Sequence, residues 1–203
     1  MRSGLNPTVE DFKNLFLGGL VVGAGFAGFK QFTSIKMLFL SLLFGILTVS
    51  FRELGQRVVG QWMDAQVDSK LSQNGAATTL IIGIFSYFST LSLVFLTPVY
   101  SVFSGESYEH WGKSIDAIWS KRKYWMASSG ILTLLIGWIA AYLLNINLLA
   151  EIISLFTFFQ LLPLDSHKKI CGKLDGAHII LWSGFTWLIF TGLTIIAIIL
   201  SAL

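Results

Sequence analysis

The stretch from Ile35 to Met63 decides the fold. It opens with the apolar run Ile35-Lys-Met-Leu-Phe-Leu-Ser-Leu-Leu-Phe-Gly-Ile-Leu-Thr-Val-Ser-Phe51 and continues through Arg52-Glu-Leu-Gly-Gln-Arg57 without a proline. A helix needs roughly 20 residues to cross a bilayer, and an ionisable group inside it costs about 2.5–3.5 kcal/mol. Either the helix enters water at Arg52, or a polar site is set into it. Arg52 and Gln56 lie one helical turn apart and share a face, with Glu53 beside them.

Five further apolar runs accompany this stretch, at residues 12–29, 76–103, 124–144, 146–162 and 177–203. Charged residues make up only 12% of the chain, against about 25% in soluble proteins, and the mean hydropathy is +0.72. The sequence therefore predicts an all-α membrane protein, a multi-span bundle of five to six segments forming one domain over residues 1–203. The cations lie between the runs rather than on one face, which argues against nucleic-acid binding.

The third run, 76–103, is interrupted by Pro98 and is predicted to be a re-entrant hairpin. If it enters and leaves on one side, twelve of the fourteen Lys and Arg residues share that side, and only Lys30 and Lys36 lie on the other. By the positive-inside rule, the N-terminus and the cationic loops of this multi-pass protein of the cell membrane are then cytoplasmic. Six full crossings, the alternative, divide the cations more evenly. They also place Glu53 and Asp175 near opposite membrane faces.

Two short motifs carry a family resemblance. Arg52-Glu-Leu-Gly-Gln56 resembles the His-Glu-x-x-His zinc-binding helix of the site-2 protease family of intramembrane metalloproteases, in its short archaeal form. Gln160-Leu-Leu-Pro163 followed by Leu174-Asp-Gly176 resembles the segment in which that family supplies its third zinc ligand, an Asp. The resemblance implies a site-2 protease-like core, with a zinc held by two histidines and the Asp, and with the Glu acting on its bound water.

The departures from this pattern concern the ligands. Arg52 and Gln56 stand where the family has histidines, and a guanidinium has no lone pair to offer a metal. Only Asp175 matches a family ligand, so we expect no catalytic residue, no cofactor and no protease activity. The chain would then bind a transmembrane client or act as an accessory subunit, with lipid and other membrane proteins as partners. The alternative is an active zinc metalloprotease, with altered ligands or with its histidines replaced.

Arg52 is also predicted to take the electrostatic place of the zinc ion. A buried, ionised Asp175 without a counter-charge would cost several kcal/mol, and an arginine can bind a carboxylate through two hydrogen bonds. The opposing interpretation is that Arg52 extends its guanidinium to the lipid headgroups.

A cationic insertion, residues 165–173, separates the two halves of the second motif. It is predicted to be a binding loop at the cytoplasmic surface, where Lys168, Lys169 and Lys173 would meet anionic headgroups. A weaker alternative is a replacement metal site at helical spacing, formed by His167, Cys171, Asp175 and His178. Gly172 and Gly176 argue against a continuous helix there.

Overall fold

The described part of the chain is mostly helical and includes one two-stranded sheet. A computed structural model of the protein describes residues 8–31, 33–89, 93–104, 112–164 and 173–202, and of residues 112–117 the backbone alone. The elements are α1 (Val9–Phe29), α2 (Ile35–Trp62), β1 (Gln66–Leu71), α3 (Gln73–Phe88), β2 (Val99–Ser104), α4 (Gly112–Leu143), α5 (Asn147–Leu161), α6 (Asp175–Trp182) and α7 (Gly184–Ala202).

Within the described residues, four helices are long and apolar enough to cross a membrane. They are α1, α2, residues Ile118–Leu143 of α4, and α7. α5 is equally apolar but has only 15 residues. The prediction of an all-α, multi-pass membrane protein is confirmed in part: the described residues are mostly helical, but they include the strands β1 and β2. The number of crossings and the cytoplasmic side remain predictions.

Local sequence explains where the helices begin and turn. The Thr8 hydroxyl accepts a hydrogen bond from the Asp11 backbone N–H at 3.1 Å, and the Asp11 carboxylate accepts one from the Thr8 N–H at 3.0 Å. This reciprocal cap satisfies N–H groups that the first turn leaves free. Between α4 and α5 the chain reverses over Leu144–Ile146, where Asn145 has a φ of 56°. Asparagine tolerates this left-handed conformation better than most residues, and α4 and α5 pack against each other.

The third apolar run is not one helix. α3 ends at Phe88, residues 93–98 form neither helix nor strand, and Val99–Ser104 forms β2. Proline cannot donate a backbone hydrogen bond, and the aromatic and β-branched residues that follow it favour a strand. β2 pairs antiparallel with β1, so that Leu71 lies opposite Val99. The chain therefore leaves the sheet after Leu71, passes through α3, and re-enters the sheet at Val99, beside Leu71.

Two other helix boundaries differ from the apolar runs. The run 177–203 is divided at Ser183, whose extended backbone (φ −148°) separates α6 from α7. The run 124–144 is the apolar part of a longer helix, because α4 begins at Gly112. The insertion lies outside the described residues except for Lys173, so its prediction as a surface loop is not addressed by the fold.

Glycines allow α1 to lie between two neighbours. A methyl group added at Gly23 would overlap the Ser41 carbonyl of α2, and one at Gly28 would overlap the Gly83 carbonyl of α3. Small residues permit this close backbone approach in membrane bundles. Phe26, on the same helix, is fully buried in the core with Val49 and Phe156. The glycine-rich sequence of α1 thus serves packing within the chain.

Gly23→Ala should destabilise the protein by about 1–3 kcal/mol, the usual cost of overpacking, because the new methyl group meets backbone atoms that cannot rotate away. Gly192→Ala is the matched control, since nothing lies within 4 Å of a Cβ there. That change should be neutral or stabilising, because alanine is the better helix former by about 1 kcal/mol. Thermal unfolding in detergent would compare the two. Equal effects at both positions would contradict the packing of α1 against α2.

Candidate functional site

The polar residues of α2 face the interior of the bundle. Arg52 and Gln56 are 0% exposed and Glu53 is 3% exposed. On the opposite side of the same turns, Leu54 is 55% and Val58 is 37% exposed. Arg52 therefore does not mark the entry of the helix into water: the outer face remains apolar while the inner face carries a polar site.

Arg52 and Asp175 form a buried ion pair. Arg52 Nε donates to Asp175 Oδ2 and Nη2 donates to Oδ1, each at 2.7 Å, and both side chains are at most 1% exposed. Asp175 is the first residue of α6, so its charge lies at a helix N-terminus, which favours an anion. The predicted contact between guanidinium and carboxylate is confirmed, and extension of Arg52 toward headgroups is excluded.

Gln56 completes the surroundings of the carboxylate. Its Nε2 lies 2.9 and 3.0 Å from the two Asp175 oxygens, and its Oε1 accepts from the Ser101 hydroxyl at 2.6 Å. The missing side chain of Gly130 leaves space for Gln56, since a Cβ there would lie 2.8 Å from Gln56 Cγ. One amide therefore connects α2 with α6 and β2. The sequence pointed to Gln56 and Asp175 but gave no sign of Ser101.

A second group of charges lies one turn further along α2. Arg57 Nε donates to Glu53 Oε1 at 2.8 Å, and Arg57 Nη2 lies 3.3 Å from Asp11 Oδ2. Asp11 Oδ1 accepts the backbone N–H of Ser69 at 3.0 Å. Arg57 is thus shared by two buried carboxylates, one from its own helix and one from α1. The local sequence around Asp11 does not indicate this role, because Ser69 lies 58 residues away along the chain.

Asn14 holds the other backbone group of Ser69. Its Nδ2 donates to the Ser69 carbonyl at 2.9 Å. Together with Asp11, it therefore occupies both hydrogen-bonding groups that Ser69 turns away from β2. Unpaired strand edges are ready to pair with other chains. Side chains of α1 cover the outer edge of β1 at this position.

These residues do not fit the zinc ion that the resemblance implies. Both Asp175 oxygens are engaged by Arg52 and Gln56, and zinc in proteins takes three or four Cys, His or carboxylate ligands. No group of three His, Cys, Asp or Glu residues placed for a metal occurs in the described ranges. His178, proposed for the weaker metal alternative, packs edge-on against the Phe103 ring at 5.3 Å. His167 and Cys171 lie outside the described residues.

Comparisons of the chain with protein-family models, curated proteins and solved structures found no match. The fold and the site define a class of protein: it is mostly helical, has several membrane-length helices and encloses a buried arginine–aspartate pair.

Removing one partner of this pair should be more damaging than removing both. Arg52→Met leaves the Asp175 charge uncompensated and should cost about 3–5 kcal/mol, as is usual for broken buried pairs. Adding Asp175→Asn removes that charge and keeps an acceptor for Gln56, so the double variant should be more stable than either single variant. Unfolding in detergent measures all three.

The control is the ion pair between Lys30 Nζ and Glu151 Oε2, at 2.6 Å and 36% and 21% exposed. Lys30→Met should cost no more than about 1 kcal/mol, because solvent screens exposed pairs. If the free energy of unfolding of the double variant fell by the sum of the two single decreases, direct coupling within the buried pair would be contradicted.

Proposed function

We propose that the protein is a catalytically inactive, site-2 protease-like membrane protein that binds a transmembrane client or serves as a subunit of a larger membrane complex. The observation that carries this proposal is the two-fold hydrogen bond from Arg52 to Asp175. The Arg52 guanidinium, which is permanently positive, thereby occupies the carboxylate of Asp175, the only residue that matches a zinc ligand of the family.

Glu53 supports the absence of hydrolysis. In the proposed family, the corresponding carboxylate takes a proton from a zinc-bound water. Here one Glu53 oxygen is bound by Arg57, and the neighbouring positions carry no metal ligand. Glu53 then contributes to a charge network, and its replacement would affect stability rather than turnover.

The path of the third run supports a single polar site at one membrane depth. The antiparallel register of β1 and β2 brings the chain back to Val99 beside Leu71, which is what a hairpin entering and leaving on one side requires. Backbone at membrane depth must be buried or paired. Ser72 N–H donates to the Pro98 carbonyl at 2.8 Å, and Val99 and Leu96 are fully buried.

Of the four membrane-length helices in the described residues, α7 is the least buried, and its outer face is the surface that we assign to a transmembrane partner. This face includes Leu188, Leu193, Ile196 and Ile199, each at least 47% exposed. α1 offers less, because its glycines are already packed against α2 and α3. We place the client or partner subunit on α7 for this reason.

A photo-crosslinking amino acid at Ile196 should capture a defined membrane protein in native membranes, because this side chain is 53% exposed on α7. The same amino acid at Ile131, which is fully buried, is the matched control and should give no intermolecular product. Crosslinks from Ile196 to lipid alone, across repeated preparations, would refute a partner on this face.

Restoring the two histidines should restore zinc binding without any other change. Arg52→His with Gln56→His would release both Asp175 oxygens and supply two imidazoles, giving three ligands and about one zinc per chain by metal analysis. The same variant carrying Asp175→Ala should lose the metal. Stoichiometric zinc in the unaltered protein would instead favour the active enzyme. A folded double variant without zinc would mean that α6 is not placed as in the family.

A further inference from the structure

A basic residue interrupts the apolar outer surface of α4. Ile118, Trp125 and Leu132 are 51%, 47% and 50% exposed, and they recur at helical spacing along one face. Lys121 lies on the same face, is exposed, and is one turn from Trp125. A lysine between apolar residues that face lipid extends its ammonium group toward the headgroups.

The end of α2 meets this part of α4. Arg122 Nη1 donates to the carbonyl of Met63, just beyond the last turn of α2, at 2.6 Å. Next to it, Trp62 is 80% exposed. On α4, the Lys123 ammonium lies 5.2 Å from the centre of the Trp119 ring. Cations and large aromatic side chains therefore share one end of the bundle.

We propose that this surface binds the headgroup of an anionic phospholipid. We call it the basic–aromatic patch and define it by the residues around this end of α4 and α2: Trp62, Trp119, Lys121, Arg122, Lys123 and Trp125. Lys121 and Trp125 share the outer face of α4, whereas Trp119 and Lys123 lie on another side of the same turns. The three cations of the patch outnumber Asp64, the acidic residue in the connection after α2, so the patch is net positive. Anionic headgroups are attracted by about 1 kcal/mol for each basic residue near the membrane surface.

The aromatic residues favour a lipid over an acidic protein as the occupant. Tryptophan prefers the membrane–water interface, where its ring meets acyl chains and its N–H meets the headgroup. Below the patch, exposed Leu54 and Val58 of α2 and Leu132 of α4 provide the apolar surface that acyl chains need. The headgroup would meet Lys121, and its acyl chains would lie along these residues.

Lys121→Ser should lower the preference of the purified protein for phosphatidylglycerol over phosphatidylcholine about fivefold, the equivalent of ~1 kcal/mol. The probe is brominated phosphatidylglycerol in vesicles that also contain unlabelled phosphatidylcholine, and its quenching of tryptophan fluorescence is followed as its fraction rises. Lys121→Arg should retain the preference, because it retains the charge.

Lys36→Ser is the matched control. Lys36 is also exposed and lies in the first turn of α2, at the other end of that helix. It should leave the preference within about twofold. The cation nearest to Lys36 along the chain, Lys30, is paired with Glu151, whereas the cations of the patch act together on a headgroup. Equal losses in Lys121→Ser and Lys36→Ser would overturn the patch as a site and leave only general attraction. No loss in Lys121→Ser, with the protein folded, would overturn it altogether.

Discussion

The Arg52–Asp175 ion pair is the interaction on which the arrangement of the interior depends. It joins the middle of α2 to the first residue of α6, 123 positions away in sequence, and neither side chain reaches solvent. Two charges in a low-dielectric interior are stable only if they pair closely and their remaining hydrogen-bonding groups are engaged. Gln56 meets this second requirement on the Asp175 side. The position of α6 is therefore set by charge as well as by packing.

The charge group of Glu53, Arg57 and Asp11 is connected to the Arg52–Asp175 pair through the sheet. Arg57 connects Glu53 with Asp11 of α1, and Asp11 in turn holds the backbone of β1 at Ser69. β1 pairs with β2, which carries Ser101 to Gln56. A continuous chain of polar contacts thus runs from the N-terminal helix through the sheet to the buried pair. Such networks favour one arrangement because each partial loss leaves a buried polar group unpaired.

The sequence predicts the helices well because the length of an apolar run determines whether it can cross a bilayer. It also predicts the buried pair, because an ionised carboxylate inside the bundle needs a counter-charge and Arg52 was the candidate that the resemblance supplied. The sequence does not predict the strands β1 and β2, and the reason is physical. Val99–Ser104 lies within an apolar run whose composition suits a helix equally, and only pairing with the short, partly polar β1 selects the extended form. The role of Ser101 follows from that pairing, and the role of Asp11 follows from the contact of α1 with β1. Local sequence patterns do not reveal either contact.

The identities of Arg52 and Gln56 answer different needs of Asp175. The carboxylate requires both a positive charge and donors for its lone pairs. Arg52 supplies the charge in a planar fork that reaches both oxygens, whereas a lysine would offer a point charge without this geometry. Gln56 adds further donors and passes a contact on to Ser101. A metal ion would meet the same needs through its own charge and coordination. We infer that, in the proposed pseudoprotease, these two side chains, one turn apart on α2, together take the structural role that zinc has in the family.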